Sequence, residues 1–247
     1  QGVSAILITI TLIKNNGYAK LNFKKLHIHK KELITILKLG VPSGLQNSLF
    51  SLSNVLIQKN VNHFGETYMA GNTTAMQLEA FVYTLMNSVA NTSVTAIGQN
   101  YGAKDFGRIK RSIIECVFFA AAVGLIGGAL VLLCHDFLIK LYTTSPESSA
   151  VAYERMKLFL STYFLCGIMD VMNCSMRGLG CSVLPMVIVL IGTCVLRIFW
   201  LYFILPLNPV YIFIIVSYPV SWFLTAIAGG IAFTVMFKKK RRTCSVS

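Results

Sequence analysis

The sequence predicts an all-α fold, a polytopic membrane bundle of six transmembrane helices preceded by the end of another. Three observations carry that prediction. Six apolar segments, near residues 36–62, 69–98, 112–142, 151–176, 183–206 and 210–237, are long enough to cross a bilayer. The chain is 55% hydrophobic and 13% charged, too apolar for a domain whose main solvent is water. Finally, the connecting loops alternate between basic ones and ones free of lysine and arginine.

Each span must supply about 20 apolar residues to cross a hydrocarbon core of about 30 Å. Helices meet that need; the short alternating strands of a membrane barrel do not match these runs. Residues 1–13, QGVSAILITITLI, are apolar but too short to span and have no basic n-region of a signal peptide before them. They read as the end of a preceding transmembrane helix, which makes the chain a fragment of something longer. Residues 14–38 read as a cytoplasmic basic linker, whose HIHKKELITILK portion alternates basic and apolar positions as a helix lying on a membrane would. Within it, His27 and His29 are expected to be solvated loop residues rather than metal ligands. Residues 39–237 form the six-helix bundle, and its short loops make successive helices antiparallel neighbours. Pro42 and Pro185 are placed near helix starts, where a missing N–H costs little. Pro219 falls inside the last span, where a kink is expected. Residues 238–247 form a basic tail.

The net charge of +13 raises the question of nucleic acid, and its distribution answers it. Seven cations lie between Lys14 and Lys38, four between Lys104 and Arg111, and five between Lys238 and Arg242. The loops around 63–68, 143–150 and 207–208 hold none, only the acids Glu66 and Glu147. By the positive-inside rule the basic loops are cytoplasmic, in the cell membrane, with both ends of the bundle on that side. Lys59, Lys140, Arg155 and Lys157 lie near outer ends and run against the bias without reversing it. The partners expected are therefore membrane lipid and small molecules, and no nucleic acid. The seven cysteines are scattered without a CxxC pair, so core packing is their expected role, with no disulfide framework or metal site.

Polar stripes run inside the apolar spans. In the first, Ser43, Asn47, Ser51, Asn54 and Gln58 step by 4, 4, 3 and 4 residues and share a helical face, with Gln46 nearby. The second carries Glu79, Tyr83, Asn87 and Asn91, each four residues after the last. The fourth carries Thr162, Cys166, Asp170, Asn173 and Arg177, and the fifth adds Thr193 and Arg197. For the neutral residues two roles stay open, hydrogen bonds that glue helices together and the lining of a cavity. A charge near the bilayer centre costs about 2.5–3.5 kcal/mol even on lenient insertion scales, so Glu79, Asp170 and Arg197 ask for a reason. Asp170 and Arg197, at mid-span of adjacent helices, could form one buried ion pair. Glu115, Asp136 and Glu154 sit close to helix ends and are expected to be wetted.

Five stretches in order, LGVPSGLQ at 39–46, GQNYGAKDFGRIKR at 98–111, SMRGLGCSVLP at 175–185, RIFWLYFILP at 197–206 and YPVSW at 218–222, resemble the C-terminal half of the multidrug and toxic compound extrusion (MATE) transporters. The resemblance covers nearly the whole chain. It implies helices seven to twelve of a twelve-helix antiporter, with the N-terminal bundle of the same protein as a missing partner. It implies secondary active efflux of cationic, amphipathic drugs or toxins by antiport with sodium ions or protons, and no cofactor beyond that coupling ion. Some members carry a cation-binding acid a few residues after the proline of the seventh helix; here Pro42 is followed by Ser43, Gln46, Asn47 and Ser51, so that site is not carried over. An acid of the tenth helix falls on Cys166, and Asp170 lies one turn later. Glu79 is then the first candidate for the coupling acid and Asp170 the second, with Tyr83, Asn87, Gln46, Asn54, Asn173 and Arg197 completing a substrate- or cation-binding set.

In this reading a proton and a cationic compound compete for the Glu79 carboxylate, and each weakens the other by the same factor. Tyr83, Phe81 and Phe50 would add aromatic faces for a cation. Two alternatives stand beside it: a lipid-linked oligosaccharide flippase of related architecture, which would want a more cationic cavity than Arg197 alone provides, and a membrane scaffold that transports nothing. An enzyme is not expected. His135 adjoins Asp136 near the outer end of its helix without a nucleophile, and the sequence holds no HExxH, GxSxG or phosphate loop.

Overall fold

The computed structural model describes residues 2–14, 27 and 29–246, with side chains as far as Arg242. Most of the basic linker, residues 15–26 and 28, lies outside the described residues, as does the side-chain detail of the last part of the tail. Among the described residues every regular element is helical. Contacts divide the chain into two units, one ending at Lys38 and one running from Leu39 onward.

In the first unit, α1 (Gly2–Lys14) is the short apolar helix expected from its sequence. Helix α2 (Lys30–Asn62) begins inside the presumed linker. Pro42 is accordingly twelve residues past its first residue, and not near a helix start as expected. The KKELITILK segment has no breaker, so the helix propagates through it, and the ring of Pro42 removes only one backbone hydrogen bond.

The second unit continues with α3 (Glu66–Gly102), α4 (Phe106–Leu133), the short α5 (His135–Lys140) and α6 (Pro146–Gly178). Caps set two of the starts. The Asp105 carboxylate accepts from the Arg108 N–H at 2.9 Å ahead of α4, and the Ser145 hydroxyl accepts from Ser148 N–H ahead of α6, whose first residue is Pro146. The next run changes gauge along its length: α7 (Val183–Val189), a π-helical stretch Leu190–Val195, α8 (Leu196–Phe199), a second π-helical stretch Trp200–Ile204, and a 3₁₀ turn Leu205–Leu207. The chain closes with α9 (Tyr211–Val246), which continues through Pro219.

Four runs are long and apolar enough to cross a membrane: Phe106–Leu133, Pro146–Gly178, Val183–Leu207 and Tyr211–Arg242. The sequence reading expected six. The other two, α2 and α3, have the length at 33 and 37 residues but not the hydropathy, because their polar ladders replace apolar side chains on one face. By contrast α4, with a mean hydropathy of 2.6, leaves Phe118, Phe119, Leu130 and Leu133 exposed, the outward apolar surface of a helix solvated by lipid.

Helix α6 is the axis of the bundle and packs against α3, α4 and α9. Its buried residues Met156, Phe159, Leu160 and Tyr163 share a core with Leu78, Val82 and Met86 of α3 and Ile214, Ile215 and Trp222 of α9. The α4 contact is drawn close by Gly124 and Gly128, one turn apart: a Cβ on Gly128 would stand 2.9 Å from the Leu160 carbonyl oxygen. In lipid, where apolar side chains gain little by leaving their solvent, such backbone approach is a main source of helix association.

Candidate functional site

The polar stripes meet. A cavity of about 290 Å³ opens within the second unit between α2, α3, α6, the Val183–Leu207 run and α9. From α2 it receives Gln46, Asn47, Phe50 and Asn54; from α3, Glu79 and Tyr83; from α6, Arg155, Cys166 and Asp170. The Val183–Leu207 run supplies Arg197, and α6 and α9 together supply an aromatic wall of Phe159, Tyr163, Tyr218 and Trp222. Within that wall the ring centroids of Phe159 and Trp222 are 4.8 Å apart at 82°, an edge-to-face pair.

Six of the eight residues singled out from sequence therefore line one cavity: Glu79, Asp170, Tyr83, Gln46, Asn54 and Arg197. The other two stand beside it. Asn87 donates to the Tyr83 hydroxyl at 3.2 Å, and Asn173 is buried with its amide donating to the Met169 carbonyl one turn back. Of the expected aromatic faces, Phe50 and Tyr83 are present. Phe81 is not: it is 65% exposed, since two residues of α-helix turn it some 200° away from Glu79.

Glu79 is held in a way the sequence reading did not foresee. Arg155 Nε donates to Glu79 Oε1 at 2.9 Å and Nη2 to Oε2 at 2.7 Å, a fork-on-fork pair. Both side chains are buried. The third guanidinium nitrogen, Nη1, donates to Asn72 Oδ1 at 2.7 Å, which also accepts from the Tyr211 hydroxyl at 3.0 Å. Asn72 in turn donates to Gln58 Oε1 at 3.0 Å. One connected network thus joins α2, α3, α6 and α9. Such geometry is what allows two charges to be buried together, since the desolvation cost of several kcal/mol per ion is offset only when both partners are fully hydrogen-bonded.

Arg155 was read from sequence as a cation at an outer helix end. It is instead 3% exposed, its guanidinium 4.7 Å from the centroid of Phe159. A signal was available. The polar stripe of α6 does not begin at Thr162: steps of three and four residues back from Cys166 reach Phe159 and then Arg155, on the same face.

The buried ion pair that the depths of Asp170 and Arg197 would allow is not among the salt bridges of the described residues. Arg197 Nε donates to the Ser221 hydroxyl at 2.9 Å, and its guanidinium lies over the Tyr218 ring at 4.1 Å and near Phe50 at 5.6 Å. Asp170 makes no salt bridge among the described residues; the Tyr83 hydroxyl lies beside its carboxyl. Arg197 sits in the single α-turn between the two π-helical stretches. At the opposite end of the cavity, Arg177 Nη2 donates to Gln46 Oε1 at 2.7 Å.

The sequence model of the MatE family matches residues 42–203. The chain belongs to the MatE family. That is the family its motifs suggest, and its members are transporters and not enzymes. Among curated relatives, the MatE chain is 28% identical over 166 residues to the probable multidrug resistance protein YoeA of Bacillus subtilis, 66% of this chain and 35% of that one. It is 29% identical over 168 residues to the probable multidrug resistance protein YpnP of the same organism, covering 68% and 38%. To the multidrug export protein MepA of Staphylococcus aureus it is 22% identical, covering 67% and 36%. The chain thus spans about a third of the length of the curated relatives it matches. Its fold is that of a solved MATE family transporter of the MOP superfamily in an outward-facing conformation, with a TM-score of 0.88 at 15% identity over 98% of this chain and 55% of that one. A MOP superfamily transporter from Pyrococcus furiosus gives 0.87 at 15% identity, over 97% and 54%. A multi-pass membrane protein follows from the family and the apolar helices together.

Proposed function

We propose that this chain forms the C-terminal half of a secondary active transporter that exports cationic, amphipathic drugs or toxins across the cell membrane in exchange for sodium ions or protons. The observation that carries the reading is the cavity: Asp170, a carboxylate with no salt-bridge partner among the described residues, lines the same space as the aromatic wall of Phe159, Tyr163, Tyr218 and Trp222. An organic cation needs both, a negative charge to replace its hydration and ring faces to receive its apolar body. The multidrug names of the relatives agree with it. All six long helical runs would span, both ends of the bundle would face the cytoplasm, and a second bundle from the same protein would rock against this one to give alternating access.

Asp170 is the residue at which ion and drug exchange. Glu79, the other candidate, would first have to release Arg155, whereas Asp170 meets a ligand directly. Competition at one carboxylate is sufficient for antiport, because occupancy by either species lowers the affinity of the other. The test is efflux of a fluorescent organic cation from vesicles holding the full-length protein, driven in turn by a sodium and a proton gradient. Asp170→Asn should abolish gradient-driven efflux, at least tenfold, while leaving the protein folded. Efflux that still follows either gradient in that variant removes Asp170 from coupling, and no gradient-driven efflux from the wild type removes the transport reading itself.

A further inference from the structure

The charges of the cavity do not balance locally, and the imbalance has an address. Glu79 and Arg155 cancel each other. Arg197 is different: it is 1% exposed and spends one donor, Nε, on Ser221. Its Nη1 and Nη2 are buried and hydrogen-bonded to no protein atom among the described residues. A guanidinium presents its terminal nitrogens as a fork that fits a carboxylate in two parallel hydrogen bonds. Buried donors left without an acceptor are costly, the more so when charged, so such a group is kept where something completes it. A second orphan points the same way. Asn54 Oδ1 is buried without a donor, and Asn54 lines the same cavity from α2.

We propose that Arg197 is an anion subsite of the cavity, taking the carboxylate of an amphipathic zwitterion whose ammonium is received by Asp170 or the Asn54 amide oxygen. The guanidinium lies over the Tyr218 ring at 4.1 Å and 5.6 Å from the Phe50 centroid, and all three side chains line the cavity. The inference rests on the transport reading for its biological use but not for its binding chemistry.

The experiment uses Nε-dansyl-lysine, which carries an ammonium and a carboxylate, and its methyl ester, which carries only the ammonium. Binding of each to the purified full-length protein is followed by dansyl fluorescence, and uptake of each into vesicles is followed separately. The wild type should bind the zwitterion at least tenfold more tightly than the ester. Arg197→Gln should lose that preference by weakening the zwitterion tenfold or more, with the ester changed less than twofold. Equal binding of the two probes by the wild type overturns the subsite, whatever the variant does. A parallel loss of both probes in Arg197→Gln, with Arg197→Lys restoring neither preferentially, also overturns it. Selective binding without uptake of either probe upholds the subsite while sinking transport.

Discussion

The Glu79–Arg155 pair allows a worked prediction. Both side chains are nearly inaccessible, at 5% and 3%, and joined by two charge-assisted hydrogen bonds of 2.9 and 2.7 Å. Removing one member of such a pair leaves an uncompensated buried charge and costs about 3–5 kcal/mol. Glu79→Gln should lie at the lower end, since the amide oxygen still accepts one guanidinium N–H. Arg155→Met should lie at the upper end: it strands both oxygens of Glu79, while Asn72 keeps Tyr211. At about 2–4 °C per kcal/mol for a body of this size, Arg155→Met lowers the unfolding temperature by roughly 10 °C or more. The double variant Glu79→Met/Arg155→Met buries no charge and should recover most of that loss, giving a coupling of at least about 2 kcal/mol in the cycle. The assay is thermal unfolding of the purified full-length protein in detergent, with all four members compared. A double variant that falls by the sum of the two singles would refute the claim that these side chains stabilise each other.

Gly128→Val should destabilise by about 2 kcal/mol or more through collision with the Leu160 carbonyl, whereas Gly230→Val, at a site with no neighbour within 4 Å, should change stability by less than about 1 kcal/mol; unfolding in detergent distinguishes them. The lysine and arginine run Lys238–Arg242 should be cut by trypsin in inside-out vesicles and protected in right-side-out ones, and the reverse pattern would invert the proposed topology.

What could be read without coordinates was whatever repeats with the period of an undisturbed α-helix. The ladders of α2 and α3 and the Cys166–Asp170 face of α6 needed only steps of three and four, and they do converge on one cavity. Partner choice was another matter. Nothing local in the sequence says that Glu79 meets Arg155, 76 positions away, rather than a ligand, because that depends on how α3 and α6 are rotated against each other. Arg197 is a second case of partner choice: its mid-span depth allows a pair with Asp170, but in the fold its Nε donates to Ser221 of α9. The close seam at Gly124 and Gly128 is visible in the sequence as small residues one turn apart, but what they meet, Phe164 and Leu160, is again set by how α4 and α6 are rotated against each other.

The two ends of this bundle are fastened by different chemistry. At the end where α3, α6 and α9 begin, an ionic clamp draws Gln58, Asn72, Glu79, Arg155 and Tyr211 into one cooperative unit that yields only as a whole. At the far end, Arg177 donates to Gln46 between α6 and α2, and Ile97, Ile109, Ile113, Met176, Leu179 and Phe233 pack into an apolar cluster. The first end is therefore sensitive to the loss of a single charge, whereas the second, held by apolar packing, is sensitive to the loss of side-chain volume.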